Sequence, residues 1–431
     1  MRKQVFIMLL LPLSLLAQER RAITLADCYK AAREFHPSYS DQGRIGQISD
    51  LKVSNVKTQW LPQLNLSGQA TYQSASLELS TLVPATFGPQ GQVTSFAQKT
   101  IKTDKDQYKG TLDVNQVLYD GGSVSVQKQM AVESGKSDML QTEVDIQKVK
   151  EQVNQVYFTL LILKQSQQQL QATQNNLLEK RKSLESGLTN GLLTANDLRQ
   201  IDVELVKIAQ QITELEISYS SNLQVLAEIT GLKIESGSEV SLPEELITMY
   251  DSIVRPEQKL FASQRTNLDL SKKLSQTQRM PKLYAFGQVG YGKPGLNMIS
   301  NDFSTFGIVG LTFKWNIWDW SKTAHDKQII TLQQEMIASK EEQFVRSIRI
   351  AKDNNHAKIS QLEKAIEADT KIVSLNNEIV QTNSIRLDQG IITTTDYINS
   401  VNAELIAKIQ SYAHKVQLIQ AKYDYITLLG Y

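Results

Sequence analysis

The chain has a single cysteine, Cys28, in 431 residues, so no internal disulfide can form. Cys28 also lies too far from the start to be a lipidated first residue, and it reads as a small apolar residue on a helix. An excess of one charge is missing as well: 46 Lys and Arg against 45 Asp and Glu leave a formal net charge of +1. A nucleic-acid binder should carry a basic stripe, and none is present. The four histidines, His36, His325, His356 and His414, stand apart, with no cysteine or carboxylate at metal-ligand spacing. The stretch "GQVGYGKPG" at 287–295 has glycines but reads as a strand and its loop, with no helix to hold a phosphate. These absences argue against an enzyme, a bound cofactor and a metal site. Beyond residue 17, no apolar run approaches the roughly 18 residues of a transmembrane helix.

The first residues read as a secretory signal over 1–17. Arg2 and Lys3 give a basic start, Val5 to Leu16 is apolar, and Ala17 is small. The alternative, a membrane anchor, is opposed by an apolar run too short to span a bilayer. Hydrophobic content is 41%, on the low side, and Gln, Asn, Ser and Thr are plentiful; this suits much solvated surface more than one large core.

The chain is written twice. Adding 219 carries Gln59, Pro62, Leu64, Gly68, Gln69 and Tyr72 onto Gln278, Pro281, Leu283, Gly287, Gln288 and Tyr291. Further on the offset is 199: Leu112 falls on Leu311, Asp120 on Asp319, Gly191 on Gly390, Thr194 on Thr393, Asp197 on Asp396 and Gly231 on Gly430. The difference of 20 is an insertion in the first half between Tyr72 and Leu112. The expected organisation is therefore a first repeat over 18–232, a linker over 233–254 and a second repeat over 255–431. Each repeat reads helix, strand, loop, strand, very long helix, turn, long helix.

The strands are expected near 64–73 and 108–119, then 283–292 and 307–317. In the first, Leu64, Leu66, Gly68, Ala70 and Tyr72 alternate with Asn65, Ser67, Gln69, Thr71 and Gln73, the period of a strand with one greasy and one wet face. The segments 74–107 and 293–305, rich in Pro, Gly, Ser and Asn, read as loops. "YDGGS" at 119–123 and "WDWSK" at 318–322 mark strand-to-helix junctions, where Asp or Ser can accept bonds from a first helical turn. The long helices carry heptads: Val149, Val156, Leu163, Leu170, Leu177 and Leu184; Leu198, Leu205, Ile212, Tyr219 and Leu226; and Ile398, Leu405, Tyr412, Ile419 and Ile426. Sustained heptads mean helices packed side by side as coiled coils. A helix from Ser123 to Ser186 would run about 96 Å at about 1.5 Å per residue, far beyond a globular domain.

An amphipathic strand also fits a soluble sheet. Two details favour membrane strands: the polar face is of the hydrated kind that lines an aqueous lumen, and about 10 residues cross a bilayer when tilted. Trp60, Tyr119, Trp315 and Trp318 gather at the strand ends nearest the helices, as an interfacial girdle would. Backbone in lipid must be fully paired, and four strands cannot close a barrel alone. Three copies would make twelve strands. The expected fold class is thus α+β and internally duplicated, with long coiled-coil helices and four strands given to a trimeric twelve-stranded barrel.

In this order the motifs "LADCYKAAREFHPS", "LPQLNLSGQATY", "NQVLYDGGS", "SGLTNGLLTANDL" and "LDQGIITTTDYI" resemble the TolC-like outer-membrane efflux proteins. The resemblance covers nearly the whole mature chain. It implies a homotrimer, with a β-barrel in outer-membrane lipid and an α-helical barrel in the periplasm. It further implies a docked periplasmic adaptor and an inner-membrane pump of the resistance-nodulation-division or ATP-binding-cassette class. The repeated turns would form the periplasmic tip. Gly191, Leu192 and Thr194, with Gly390, Ile391 and Thr393, would meet partners there. In the family an aspartate at the place of Asp396 forms a carboxylate ring at the narrow end of the channel. A second aspartate follows about one turn later, where this chain has Asn399. Some members close the tip with an arginine four residues before the first aspartate; this chain has Ile392. For Asp197 a pore role and helix capping both stand, and capping is the alternative for Asp396 as well.

The leading expectation is a passive exit channel gated at the helix tips. A coiled-coil adhesin or structural protein of the cell surface is the main alternative; its heptads fit, but it leaves the amphipathic strands without purpose. An enzyme on a helical scaffold lacks a catalytic cluster, and an uptake porin does not normally need long paired helices.

Overall fold

The computed structural model describes residues 22–189, 194–235, 238–244 and 250–431. The expected signal segment, 1–17, and two turn residues, Gly191 and Leu192, fall outside the described residues.

In the first half, α1 (Leu25–Phe35) and α2 (Pro37–Lys57) lead through a 3-10 turn at Thr58–Trp60 into β1 (Gln63–Tyr72). Then come β2 (Glu78–Phe87), β3 (Val93–Lys102), β4 (Asp106–Tyr119), α3 (Ser123–Thr189) and α4 (Ala195–Thr230). The second half has α5 (Pro256–Thr277), β5 (Lys282–Lys293), β6 (Ser304–Lys314), α6 (Lys322–Asp388) and α7 (Thr394–Leu429). The helices of the two halves match in length: α3 and α6 have 67 residues each, and α4 and α7 have 36 each. Gly231 and Gly430 end α4 and α7 alike, in the left-handed conformation. The junctions also match. Asp120 accepts from the N–H groups of Gly122 and Val124, and Asp319 from the N–H and hydroxyl of Thr323. These bonds satisfy first-turn donors. Gly121 and Gly122, at φ 70° and 89°, have Trp320 and Ser321 as counterparts, at φ 53° and 63°. The second half thus places side chains where the first uses glycine.

Two expectations change. The segment 74–107 is not a loop throughout but holds the β2–β3 hairpin, a two-stranded sheet of its own. Pro84, Gly88, Pro89 and Gly91 suggested a loop, yet Pro84 lies at a register shift, where a missing N–H does little harm. Ser80 and Thr100 share a hydroxyl hydrogen bond, and Lys102 pairs with Glu78 at 2.7 Å. The described residues therefore hold six strands, of which four form the larger sheet. The last of those four also begins and ends three residues earlier than expected, and just past its end the Trp315 indole N–H donates to the Arg279 carbonyl.

The chain packs into two compact units, each built from both halves. One comprises residues up to Asp41, Gln141–Glu257 and Gln343–Tyr431. Its core is the heptad seam. Val149, Val153, Tyr157 and Phe158 of α3 pack with Leu25, Cys28 and Ala32 of α1, and with Tyr219, Leu223 and Leu226 of α4. Leu170, Leu177 and Leu184 of α3 pack with Ile201 and Ile208 of α4, and with Tyr397, Ile398, Val401 and Leu405 of α7. Burial pushes the Cys28 thiol up to about 12, which makes it an inert core group. Part of the stretch expected as a linker is pinned: Ile23 bonds Glu239 and Ser241, and the Tyr157 hydroxyl donates to the Ile23 and Ser241 carbonyls. The other unit, Gln42–Leu140 with Gln258–Glu342, holds all six strands. There α3 and α5 meet through small polar residues: Ser137 and Ser263 share a hydrogen bond, and Ser263 donates to Glu133.

Candidate functional site

Two places concentrate the residues singled out in the sequence, and each is described on its own. The first is the sheet, ordered β1-β4-β5-β6 and antiparallel throughout. Its register aligns the faces. Leu66 sits opposite Leu112, which sits opposite Val289. Val309 sits opposite Gly287, Leu311 opposite Ala285 and Phe313 opposite Leu283. These residues share one apolar face, and Leu66, Leu112, Val289, Val309, Leu311 and Phe313 stay exposed, Leu66 at 84% and Val309 at 87%. A water-facing sheet would not leave a patch of this extent bare.

The other face is polar. Asp113 accepts from the Thr111 hydroxyl at 3.0 Å and from the Gln288 side-chain amide at 2.5 Å, while Ser67 and Thr111 share a hydrogen bond of 2.7 Å. Phe306 covers Gly290 and Phe286 covers Gly310 across the β5–β6 pair. A Cβ on either glycine would collide with the facing ring, so glycine makes the room for each ring.

Aromatic residues mark both ends of the apolar face. Trp60, Tyr119, Trp315 and Trp318 are exposed at one end, with Trp320 set edge-on to Trp318 at 5.9 Å. Tyr72, Tyr108 and Tyr291 lie at the other, and the Phe303 ring stacks 6.2 Å from Tyr108 and 5.5 Å from Tyr291. The second belt was not recognised from sequence. Its signal was present: tyrosines at the far ends of the same strands. Ten residues at about 3.3 Å, tilted by about 40°, rise roughly 25 Å, which is the height of a barrel's apolar band.

The second place is the start of α4 and α7. Thr393 and Asp396 form a full capping box: the Asp396 N–H donates to the Thr393 hydroxyl oxygen at 3.1 Å, and the Thr393 N–H donates to Asp396 Oδ2 at 3.0 Å. At α4, the N–H and hydroxyl of Thr194 both donate to Asp197 Oδ2. Asp197 Oδ1 accepts in addition from the buried Thr394 hydroxyl at 3.0 Å, which ties the two helix starts together. The hydroxyl bonds from Thr194 and Thr393 hold the carboxyls of Asp197 and Asp396 below the usual range. Both aspartates are therefore caps. Asp197 is half-buried and uses both oxygens, whereas Asp396 and Asn399 are exposed on the first turn of α7. Gly390, at φ 70°, ends α6 with Ile391 N–H bonded to Arg386 O and Gly390 N–H to Leu387 O, a Schellman motif. Ile391 is exposed, while Ile392 packs on the apolar seam.

Partners of these turns that the sequence did not reveal lie far apart in the chain. Thr395 donates to Gln200, and Asn402 to Glu204. The nearly buried Lys180 bonds Ser384 and Asp388, and Arg181 bonds Asp202 at 2.6 Å. No local spacing announces such pairs.

Residues 51–232 match the family of outer membrane efflux proteins. The solved Campylobacter jejuni CmeC outer membrane channel superposes with a TM-score of 0.67 at 14% identity, over 94% of this chain and 85% of that one. CusC, solved in a study of transmembrane channel formation, gives 0.71 at 11% over 94% and 92%. The open state of the Neisseria gonorrhoeae MtrE outer membrane channel gives 0.67 at 15% over 94% and 88%. The chain has the fold of the outer-membrane efflux channels. The resemblance read from the motifs thus extends to the fold and to the family matched by residues 51–232. No curated protein sequence matches this one.

Proposed function

We propose that this chain is the exit channel of an efflux or type I secretion system in the outer membrane, acting as a homotrimer with its helices in the periplasm. One observation carries the reading: a bare apolar face on a sheet whose edge strands, β1 and β6, each pair on one side only, with β4 and β5, and leave their outer edges without a strand partner among the described residues. Lipid covers such a face, but it cannot satisfy edge N–H and C=O groups. Four strands alternate up and down, so β6 of one copy meets β1 of the next antiparallel. Three copies then close twelve strands, above the eight with which single-chain barrels begin.

The tip supplies the gate. Three Asp396 carboxylates, held ionised by their caps, would repel one another and attract cations, with Asn399 adding a neutral ring. Asp197, bonded to Thr394, holds α4 to α7. Gly390, Ile391, Thr393 and Thr194 would meet a periplasmic adaptor and an inner-membrane pump of the resistance-nodulation-division or ATP-binding-cassette class; Gly191 and Leu192, outside the described residues, belong to the same proposal. Adaptor contact opens the tip by binding the open state better. The chain performs no chemistry; energy comes from the pump.

Native mass spectrometry of the detergent-solubilised protein and single-channel recording in planar bilayers test the reading. A trimer that conducts is expected. A monomer that carries no current overturns it, and a soluble shed product would favour the adhesin alternative.

A further inference from the structure

We propose that the barrel binds polyvalent anionic groups of passing solutes at a ring of paired lysines, an inference that rests on the trimeric-channel reading above. Lys282 opens β5 and Lys314 closes β6, and the two are direct cross-strand partners. Their sequence neighbours Leu283 and Phe313 pair on the apolar face, so alternation sets both lysines on the polar, lumen-facing side. Like charges directly opposite each other on neighbouring strands repel, and such a pair needs an anion or water between its heads.

Among the described residues no carboxylate fills that role. Among the described residues neither lysine makes an ion pair. The nearby carboxylates have other duties: Asp120 caps α3 and Asp319 caps α6. Elsewhere on the polar face of the four strands, Asp113 is the single acid, and it is tied to Gln288 and Thr111. Lys109 is the remaining base, its ammonium 5.1 Å from the centre of the Phe306 ring. Asp106 and Lys293, at the far rim, pair with each other at 3.3 Å. Three lysines less one aspartate leave a surplus of two positive charges per chain on this face, or six in a trimer.

Lys282 and Lys314 stand at the same end of the sheet as Trp60, Tyr119 and Trp315. Three copies place six ammoniums around that mouth of the barrel. The chemistry recognised is carboxylate, phosphate or sulfate bearing more than one negative charge. A lipid headgroup is excluded as the occupant by the side of the sheet on which the lysines lie.

The test uses the full-length trimer in planar bilayers of zwitterionic lipid, with pyrophosphate as the probe, added on the side of the strand loops. Trimer mass and open-channel current are recorded first for every variant, so that a failure to form a channel is seen apart from a failure of the anion site. Wild type is expected to be blocked by pyrophosphate. The Lys282→Gln/Lys314→Gln double variant should need on the order of tenfold more, because six ammoniums act across about 10 Å of salt water. Its reversal potential in a KCl gradient should move toward potassium. Lys282→Arg/Lys314→Arg keeps the charge and should keep the block. If the double variant assembles poorly, Lys314→Gln alone is read in the same way. Equal block in wild type and in a conducting charge-removed variant overturns the proposal.

Discussion

Val309→Arg separates a membrane sheet from a water-facing one. Val309 is the middle residue of β6, which runs from Ser304 to Lys314, and it is 87% exposed on the apolar face. If water covers that face, the change touches no neighbour and should cost within about 0.5 kcal/mol. If lipid covers it, an arginine at mid-depth costs about 2–4 kcal/mol per chain. In the proposed trimer three copies share one barrel, which would then lose about 6–12 kcal/mol, far beyond measurement error. Two comparisons sharpen the argument. Asn65→Arg lies on the polar face, opposite Asp113, and should be close to neutral because its side chain enters water. Tyr72→Arg lies on the apolar face but at the rim, where the penalty falls to about 0–1 kcal/mol. The assay is refolding into phosphatidylcholine vesicles against urea, with heat-resistant trimer on gels as a second readout. A gradient from Val309 to Tyr72, with Asn65 unaffected, is expected. Equal assembly of Val309→Arg and wild type would refute the lipid reading. An equal penalty at Val309 and Tyr72 would instead indicate a face buried in protein.

The tip and the junctions give two further tests. Asp396→Asn keeps a cap acceptor but removes the charge; cation preference and block by polyvalent cations should fall, while far-ultraviolet circular dichroism stays the same. Because the Thr393 hydroxyl bond lowers the Asp396 carboxyl, the wild-type cap is at full strength above the ordinary aspartate range, near pH 4, and weakens only as pH falls through the lower folded value. Selectivity that already fades at pH 5, or that is unchanged in Asp396→Asn, would remove Asp396 from the pore. Ser321→Gly replaces a side chain held at φ 63° and should stabilise the protein by about 1 kcal/mol, whereas Gly122→Ser should cost a similar amount; unchanged urea midpoints for both would contradict the strain assigned to these junctions.

Much of this architecture is legible in the sequence because duplication shows every feature twice. Gly231 and Gly430 each end a 36-residue helix, and Thr194 and Thr393 each start one. The heptad leucines lie in the cores where their spacing puts them. The β2–β3 hairpin was hidden because it lies where the first half carries its 20-residue insertion, so most of it has no second copy to compare, and because prolines and glycines interrupt its alternation. The lysine pair was hidden for another reason: Lys282 and Lys314 meet only through a register that pairs two strands across a loop. The same holds for Thr394 and Asp197, which are 197 residues apart.

Capping and pore charge stood as rival readings of the two aspartates, yet the geometry makes them compatible. A carboxylate that accepts the N–H and hydroxyl of its own N-cap threonine is stabilised in its charged form, and the bond that starts the helix also keeps the charge. Rivalry would exist only if capping withdrew the group from solvent. For Asp197 it partly does, since Thr394 takes the second oxygen and the residue is half-buried. For Asp396 both cap bonds fall on Oδ2 and the side chain stays exposed. The repeat has therefore diverged at equivalent positions, because a threonine, Thr394, stands where the first half has Ala195. That one hydroxyl turns the first aspartate into a tie between helices and leaves the second exposed, with one oxygen free of the cap bonds.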